Sequence, residues 1–353
     1  MKRLAPVHIK QPPANIVGPA LIDAGDGFGI IIENVGDVTI KDLIIRGNGR
    51  TNNPHSGIYI ENSCESTLNN VFIENVEVSG FKEDVIRIWA KAKHGYNNIK
   101  INHCKSHDNG MSGINIGSEA YPATPHSDLC ITNCVAYQNT GIPGLTVHSG
   151  SGIVMGGFRR GLIQYCEAYE NGALCDSTGK EDGGPVGIWA YNCDEGVIEY
   201  NISHHNHSNN SADGGGFDLD GGTTNSVMRY NLSYHNDGYG FQLCDFLEGE
   251  TAYNKIYNNV SWYDCQRYDF GALSVTGKVV ASSIYSNVSR IKGGTIGARL
   301  LKLQGSGLTF SDNIYFADGI AQHFVLIDTI TQPMVVRDTF VVLPDSPSSI
   351  PIA

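Results

Sequence analysis

Short segments of the form Gly-apolar-X-apolar recur along this chain about every thirty residues, and this self-similarity restricts the fold more than any other feature. Within each segment apolar residues alternate with a period of two, so that one face of a strand is buried and the other is not. A unit of this size cannot bury its apolar face alone, and stacking on copies of itself predicts a solenoid. The segments begin at Ser56, Asp84, Ser112, Ser151, Val186, Gly215 and Tyr239.

Two columns of small or amide residues keep the same register as these segments. Equivalent positions on successive coils of a parallel solenoid lie about 4.8 Å apart, close enough for stacked Asn side chains to hydrogen-bond from coil to coil. The first column contains Leu43, Val76, Cys104, Cys134, Cys166, Asn201, Asn231, Asn259, Asn287 and Asn313, and the second contains Asn48, Asn109, Asn139, Asn171, Asn206 and Asn236. These columns predict an all-β parallel solenoid of about ten coils, and an α/β fold is disfavoured because long apolar stretches with a period of 3.6 are missing.

The columns also give structural explanations for two tempting motifs. Three cysteines of the first column, Cys104, Cys134 and Cys166, are expected to pack as small apolar side chains, and a zinc site is not expected because the nine cysteines form no CxxC pair. Four Asn-X-Ser sequences match the glycosylation pattern, but their Asn residues belong to the inward column, so we expect them to be buried and unglycosylated.

Composition limits the partners of the chain. The formal net charge is −12, which argues against nucleic acid and against an anionic membrane surface, since both require clustered Lys and Arg. No apolar run approaches the roughly 20 residues of a membrane span. A polysaccharide substrate would favour a secreted or periplasmic protein, whereas the unpaired thiols and the lack of an apolar leader fit the cytoplasm, so the localisation stays open. The oligomeric state also stays open.

We divide the chain into an N-terminal segment or cap (1–27), a solenoid domain (28–343) and a C-terminal tail (344–353). The solenoid resembles the right-handed parallel β-helix superfamily of pectate-lyase-like proteins over about residues 28–315. The resemblance is most specific in three runs, His148-Ser-Gly-Ser-Gly-Ile, Gly183-Gly-Pro-Val-Gly-Ile-Trp-Ala, and Asp213-Gly-Gly-Gly-Phe-Asp-Leu-Asp-Gly-Gly-Thr-Thr-Asn. These runs are similar to β-helix repeat proteins among the carbohydrate-active enzymes. The resemblance implies the fold and a carbohydrate substrate, but not the reaction.

Outward positions of the repeated strand form two stripes across successive coils. Aromatic, carboxylate, amide and Arg side chains concentrate there, as they do on sugar-binding surfaces. The first stripe contains Tyr59, Arg87, Asn115, Val154, Trp189, Asp218 and Gln242, and the second contains Glu61, Trp89, Gly117, Gly156, Tyr191, Asp220 and Cys244. Long insertions in the same coils are expected to wall a substrate groove on this outer face.

Three carboxylates, Asp213, Asp218 and Asp220, are the candidate catalytic residues. Asp218 and Asp220 are two positions apart on one strand face, which places their Cα atoms about 6.5–7 Å apart. Crowding of like charges raises one pKa and prepares an acid and a base, as glycoside hydrolysis requires. We therefore predict a glycoside hydrolase in which Asp213 supports an Asp218–Asp220 pair. The predicted substrate-binding residues are Arg87, Asn115, His148, Asp182, Trp189, Tyr191, Gln242 and Asp245, with Glu181 as a further loop candidate.

Two other functions remain open at this stage. In a calcium-dependent polysaccharide lyase or uronate epimerase, Asp213, Asp218 and Asp220 would bind Ca²⁺ and a base would abstract the proton next to the substrate's carboxylate. In a non-catalytic adhesin or receptor-binding solenoid, the aromatic and amide side chains would bind glycan without an essential carboxylate. The hydrolase needs no cofactor.

Overall fold

The computed structural model describes residues 2–145, 147–176, 183–209, 212–245, 249–321, 323–330 and 335–343. These residues form strands and connecting turns with no helix among them, so the described part contains no helix that could cross a membrane. The first sixteen strands are β1 Lys2–Leu4, β2 Val7–Ile9, β3 Ala14–Gly25, β4 Ile30–Glu33, β5 Val38–Gly47, β6 Ile58–Asn62, β7 Leu68–Ser79, β8 Ile86–Ala90, β9 Tyr96–Asn102, β10 Lys105–His107, β11 Ile114–Ser118, β12 His126–Thr132, β13 Val135–Tyr137, β14 Ile153–Gln164, β15 Glu167–Tyr169 and β16 Val186–Glu199.

Shorter strands follow along the rest of the solenoid. They are β17 Ile202–His204, β18 Gly215–Leu219, β19 Val227–Arg229, β20 Leu232–Tyr234, β21 Phe241–Cys244, β22 Thr251–Ala252, β23 Lys255–Tyr257, β24 Val260–Trp262, β25 Leu273–Thr276, β26 Val279–Val280, β27 Ser283–Tyr285, β28 Val288–Lys292, β29 Ile296–Leu303, β30 Thr309–Asp318, β31 His323–Ile330 and β32 Val335–Leu343.

The strands pair in parallel from coil to coil and build a solenoid of about 11 turns, which confirms the predicted fold. The N-terminal strands take part in this stacking, since β1 pairs with β3 and β3 pairs with β5. The C-terminal tail, residues 344–353, lies outside the described residues.

One row of parallel strands positions the site, and we call it the first face: β4, β6, β8, β11, β14, β16, β18, β21, β25 and β29. Its inward residues align in register and are at most 1% exposed, which confirms the predicted period of two. They are Ile30, Ile58, Ile86, Ile114, Ile153, Ile188, Phe217, Phe241, Leu273 and Ala298. The solenoid interior is therefore a continuous apolar core, and chemistry is confined to the outer surface and the loops.

The two predicted columns are hydrogen-bonded ladders inside the corners of the solenoid. From Asn201 to Asn313 each side-chain amide donates to the amide oxygen one coil further on, at 2.9–3.0 Å. The second ladder runs from Asn109 to Asn236 in the same way. Asn48 lies outside it, because Phe81 occupies the corresponding position on the next coil and only its backbone N–H reaches Asn109.

The structure confirms that the residues of the two motifs are buried. Asn201, Asn231, Asn259 and Asn287, the four residues of the Asn-X-Ser sequences, are at most 2% exposed. The cysteines of the same column, on the preceding coils, are buried free thiols: Cys104, Cys134 and Cys166.

The second ladder ends on an acid instead of an amide, and this predicts a pH-dependent stability. Asp264 accepts hydrogen bonds from Asn236 and Ser261, and burial raises its pKa to about 6. Because the folded protein then keeps a proton that the unfolded chain has released, stability falls as pH rises from about 4 to 6. In Asp264→Asn we expect the decrease in the free energy of unfolding over this pH range to be smaller by up to about 3 kcal/mol. Chemical unfolding at pH 4 and pH 7 measures it, with the exposed Asp26→Asn as a control that leaves the pH dependence unchanged.

Candidate active site

The two predicted stripes are aligned on the outer side of the first face, but loops and side chains cover the first stripe. The strand register pairs its members from Tyr59 to Gln242 and extends the stripe to Ser274 and Arg299. Its central members are 1–8% exposed. The stripe is therefore not the open groove that the sequence suggested, because the repeat pattern carries no information on which loops and rings fold over it. The central members are Asn115, Val154, Trp189, Asp218 and Gln242.

Asp218 lies at the bottom of the site and is 3% exposed. Its Oδ2 accepts a hydrogen bond from the Gln242 amide at 3.0 Å and lies 3.2 Å from the Tyr239 hydroxyl oxygen. Burial and the neighbouring charges of Asp220 and Asp213 raise its pKa well above the usual range of a carboxyl group. Burial therefore disfavours the charged form of Asp218.

Asp213 enters from the loop before β18 and is half-buried. The Gly184 backbone N–H donates to its Oδ2 at 2.5 Å, and the Tyr239 hydroxyl donates to its Oδ1 at 2.9 Å. Burial raises the pKa of Asp213 to about 6, although these two donors favour the ionised form. Asp213 can therefore hold or release a proton close to neutral pH.

The ring of Tyr239 reaches both acids because Gly215 on the preceding coil has no side chain. A Cβ at Gly215 would lie 2.2 Å from the Tyr239 ring, so the ring occupies the space that any other residue would fill. The tyrosine is fully buried, and burial next to Asp213 and Asp218 raises its pKa well above the usual range. It therefore keeps its single proton, which it can donate to Asp213 at 2.9 Å or to Asp218 at 3.2 Å, one at a time.

Asp220 follows Asp218 along the chain, whereas Asp213 precedes it, and the Asp220 side chain is half-buried. Its Oδ1 accepts hydrogen bonds from the Gly221 backbone N–H at 2.6 Å and from the Cys244 thiol at 3.0 Å. Burial raises the pKa of Asp220, while these two donors lower it. The Cys244 thiol stays protonated, because burial and the nearby charges of Asp218 and Asp220 raise its pKa well above the usual range.

Known proteins with this architecture support the fold assignment. Residues 95–242 match the family described as right handed beta helix region. This match and the parallel coils of the structure show the β-helix fold. No curated protein has a sequence that matches it.

Among solved structures, the β-helix protein is similar to the lacto-N-biosidase of Eubacterium ramulus. The selenomethionine form of that enzyme is 15% identical to this chain, and the two superpose with a TM-score of 0.59. The aligned region covers 96% of this chain and 61% of the enzyme. The native form shares 14% identity and a TM-score of 0.55, with 90% of this chain covered. The β-helix protein thus spans about half the length of that enzyme, 51% in the native form. At these identities the likeness shows the fold alone.

A lower similarity extends to an enzyme with another substrate. The DFA-IIIase of Arthrobacter chlorophenolicus without its lid shares 14% identity and a TM-score of 0.48, covering 93% of this chain and 89% of the enzyme.

His148, Trp189 and Tyr191 lie together beside the carboxyl groups of the β-helix protein. The His148 ring meets the edge of Trp189 with 5.2 Å between centroids, and Trp189 and Tyr191 are 5.3 Å apart. Tyr191 lies across Gly156, where a Cβ would be 2.1 Å from its ring, and its hydroxyl reaches Gly117. Burial raises the pKa of Tyr191 to about 12, so it is a neutral phenol at this site.

The other predicted binding residues lie at the edge of this group or apart from it. Asp245 accepts a hydrogen bond from Thr251 at 3.1 Å, and Asp220 contributes to its raised pKa, which is due mainly to burial. Arg87 and Asn115 gather instead around the buried Asp84, three to four coils away from Asp218. Asp182 and the loop candidate Glu181 lie outside the described residues.

Sequence reasoning missed the functional contacts of Tyr239 and Cys244. Tyr239 occupies the first position of its repeat segment, where other coils carry Ser, Asp, Val or Gly. This departure from small residues was a detectable signal, and Gly215 at the same position one coil earlier was its counterpart. Cys244 was visible as a member of the second stripe, but its contact with Asp220 depends on side-chain rotamers that a strand pattern does not specify.

Proposed function

We propose that this β-helix protein is a glycoside hydrolase in which Asp213 is the general acid and Asp220 is the ionised base or nucleophile. The observation that carries the proposal is the burial pattern of the three acids. Asp213 and Asp220 are half-buried and can meet a substrate, while Asp218 between them is 3% exposed. Glycoside hydrolysis requires two carboxyl groups in different protonation states on either side of the scissile bond.

The protonation states support this division of roles. Asp213 has a pKa of about 6 and keeps a proton for the leaving-group oxygen over part of the neutral range. Burial raises the pKa of Asp220, and the hydrogen bonds from Gly221 and Cys244 oppose that rise by stabilising its negative charge. Asp218 lies between the two groups, and burial disfavours a third charge there. We therefore assign Asp218 a positioning role, rather than the acid–base role that its strand spacing suggested.

A carbohydrate substrate is supported by the side chains around the acids. Trp189 and Tyr191 provide aromatic surfaces next to the carboxyl groups, and sugar rings pack their C–H groups on such surfaces. The lacto-N-biosidase that shares this fold acts on an oligosaccharide, and the same class of substrate fits this site. We assign Trp189, Tyr191, His148 and Gln242 to the walls and floor around the cleaved sugar.

A calcium-dependent lyase is less well supported by the donor set. Ca²⁺ takes six to eight hard oxygen ligands. Here the carboxyl oxygens already accept bonds from N–H, O–H and S–H donors, and the group that best approaches metal-ligand spacing contains a thiol, Asp218 with Asp220 and Cys244. The residues therefore do not fit calcium, and we propose a reaction without a metal cofactor.

A substrate panel tests the reaction. We would incubate the protein with aryl glycosides of neutral mono- and disaccharides, including an aryl lacto-N-bioside, and with alginate and pectate as anionic polymers. Hydrolysis predicts release of the aglycone or new reducing ends without ultraviolet absorbance from an unsaturated uronate. Unsaturated products that disappear on addition of a chelator would support the lyase instead. Glycan binding without any product would support the adhesin.

Removing the hydroxyl of Tyr239 is expected to move the pH profile in a defined direction. In Tyr239→Phe, Asp213 loses a donor that favours its ionised form, so its pKa rises. Because a general acid works while protonated, the alkaline limb of kcat/KM against pH is expected to move to higher pH. Tyr234→Phe, which changes a stacked ring on another face, is the control and leaves the profile in place. A shift to lower pH in Tyr239→Phe would contradict the role of Asp213 as the acid.

A further inference from the structure

A second polar cluster lies on the first face, apart from the three acids. The guanidinium group of Arg87 is 3.5 Å from Asp84 and stacks on Trp89, 4.2 Å from the ring centre. The Asn115 amide donates to the same carboxyl oxygen of Asp84, Oδ2, at 2.9 Å. Arg87 and Asn115 are paired neighbours on adjacent coils, so they form one surface element between β8 and β11.

Four buried polar atoms on this part of the first face have no hydrogen-bond partner among the described residues. They are Arg87 Nε, Ser112 Oγ, Asn115 Oδ1 and Trp189 Nε1. Asn115 is 8% exposed and Trp189 is 6% exposed, so bulk water does not satisfy them freely. A buried polar atom without a partner is unfavourable, and native proteins seldom tolerate several of them close together. Three of these atoms belong to residues that contact Asp84, and Trp189 lies two coils further on, so a group bound along this part of the face would supply the missing partners.

The chemistry of these atoms specifies a neutral polyhydroxyl ligand. Arg87 Nε and Trp189 Nε1 only donate, Asn115 Oδ1 only accepts, and the Ser112 hydroxyl does both. A sugar hydroxyl can both donate and accept, so one class of ligand satisfies the whole set. Asp84 offsets the charge of Arg87, which removes the advantage of an anionic ligand. The Trp89 ring adds an aromatic surface of the kind on which sugars pack.

We infer that Arg87, Asn115 and Trp89 form a distal sugar-binding subsite of the proposed hydrolase. The register places Asn115 three coils before Asp218, a separation of about 14 Å along the solenoid axis. Tyr191 lies between the two clusters, with its ring over Gly156 and its hydroxyl near Trp89. The substrate is therefore an oligosaccharide that extends several units beyond the cleaved bond along the half-buried Asp220, Tyr191 and Trp89 of the second stripe, with its far end at Arg87. That the ligand is a substrate rests on the proposed function, but the existence of the sugar-binding subsite does not.

The test compares long and short substrates in matched variants. Arg87→Met and Asn115→Ala remove polar atoms of the subsite, and Lys91→Met is the control because Lys91 is on the same coil but pairs with Glu61 and Glu119 at the surface. On an oligosaccharide of four or more units with the cleaved linkage, we expect each subsite variant to lower kcat/KM by about tenfold, the loss of one hydrogen bond to a ligand. On the aryl glycoside with the same linkage, we expect no change. Lys91→Met is expected to leave both values unchanged.

Two outcomes would overturn the subsite while leaving the hydrolase intact. An equal decrease in kcat/KM on both substrates would show that the residues act through the fold or the chemistry. Thermal melting would identify a folding defect. No loss on either would show that the cluster holds ordered water only. If no glycan is cleaved, calorimetric titration of neutral malto-, cello-, xylo-, manno- and lacto-N-hexasaccharides tests the subsite independently. Tenfold weaker binding in Arg87→Met supports it, and equal or absent binding overturns it.

Discussion

Asp220→Asn is expected to lower kcat by about 10²- to 10⁴-fold, and Asp213→Asn by a similar factor. Each change replaces a carboxyl group by an amide, and an amide can neither donate nor accept a proton in the reaction. Both residues are half-buried, and their backbone donors, Gly221 and Gly184, can still bond to the amide oxygen. The fold is therefore expected to survive. The measurement is single-substrate kinetics on the aryl glycoside identified in the panel, with thermal melting as the check on folding.

Asp218→Asn is the matched control for this experiment. Because burial disfavours a charge on Asp218, a neutral amide of the same shape is expected to take its place, and its oxygen can still accept a hydrogen bond from Gln242. We expect kcat to stay within about tenfold of the original protein, well above the other two variants. Loss of activity in Asp218→Asn equal to that in Asp220→Asn would assign the acid–base pair to Asp218 and Asp220. Full activity in all three variants would remove the hydrolase proposal altogether.

Asn206→Ala is expected to destabilise the fold by about 3 kcal/mol. Asn206 is fully buried, and its Oδ1 accepts bonds from both the backbone and side-chain N–H groups of Asn171. Its own amide donates to Asn236 at 2.9 Å. The substitution therefore leaves two buried donors of Asn171 without an acceptor and interrupts the ladder in the middle of the solenoid. Chemical denaturation followed by circular dichroism measures the change.

Asn69→Ala separates the effect of burial from the effect of a stacked amide. Asn69 is exposed and accepts a hydrogen bond from Asn97 at 3.1 Å, so it belongs to an amide contact of the same kind on the surface. Water can replace that bond, and we expect a change of at most about 0.5 kcal/mol. Equal destabilisation by Asn69→Ala and Asn206→Ala would show that burial of the ladder does not determine its contribution.

The fold was largely predictable because its determinants repeat along the chain. Each inward residue, such as Ile114 or Ile153, meets an equivalent residue one coil away, so a period of two within a strand and a recurring interval between strands specify the core. The Asn columns add a polar constraint that fixes the same register. The one ladder error, Asn48, arose where an apolar residue, Phe81, replaced the amide on the next coil.

The candidate site was only partly predictable for the opposite reason. Asp218 and Trp189 could be placed side by side, because they occupy equivalent positions of the repeat. The burial of these two residues could not be predicted, because it depends on loops that differ from coil to coil and on rings that lie across glycines. The contact of Tyr239 with both Asp213 and Asp218 exists only because Gly215 leaves room for that ring.

The sequence by itself determined that this chain winds into a parallel solenoid, that its amides and thiols stack inside, and that its acids meet aromatic residues on one outer face. These properties follow from spacing alone, since a solenoid brings equivalent positions of neighbouring coils together. Only the tertiary structure decided which acid is fully buried and which two are half-buried. That distinction depends on the desolvation of each carboxyl group by side chains from other coils, and such contacts are not encoded in any local pattern.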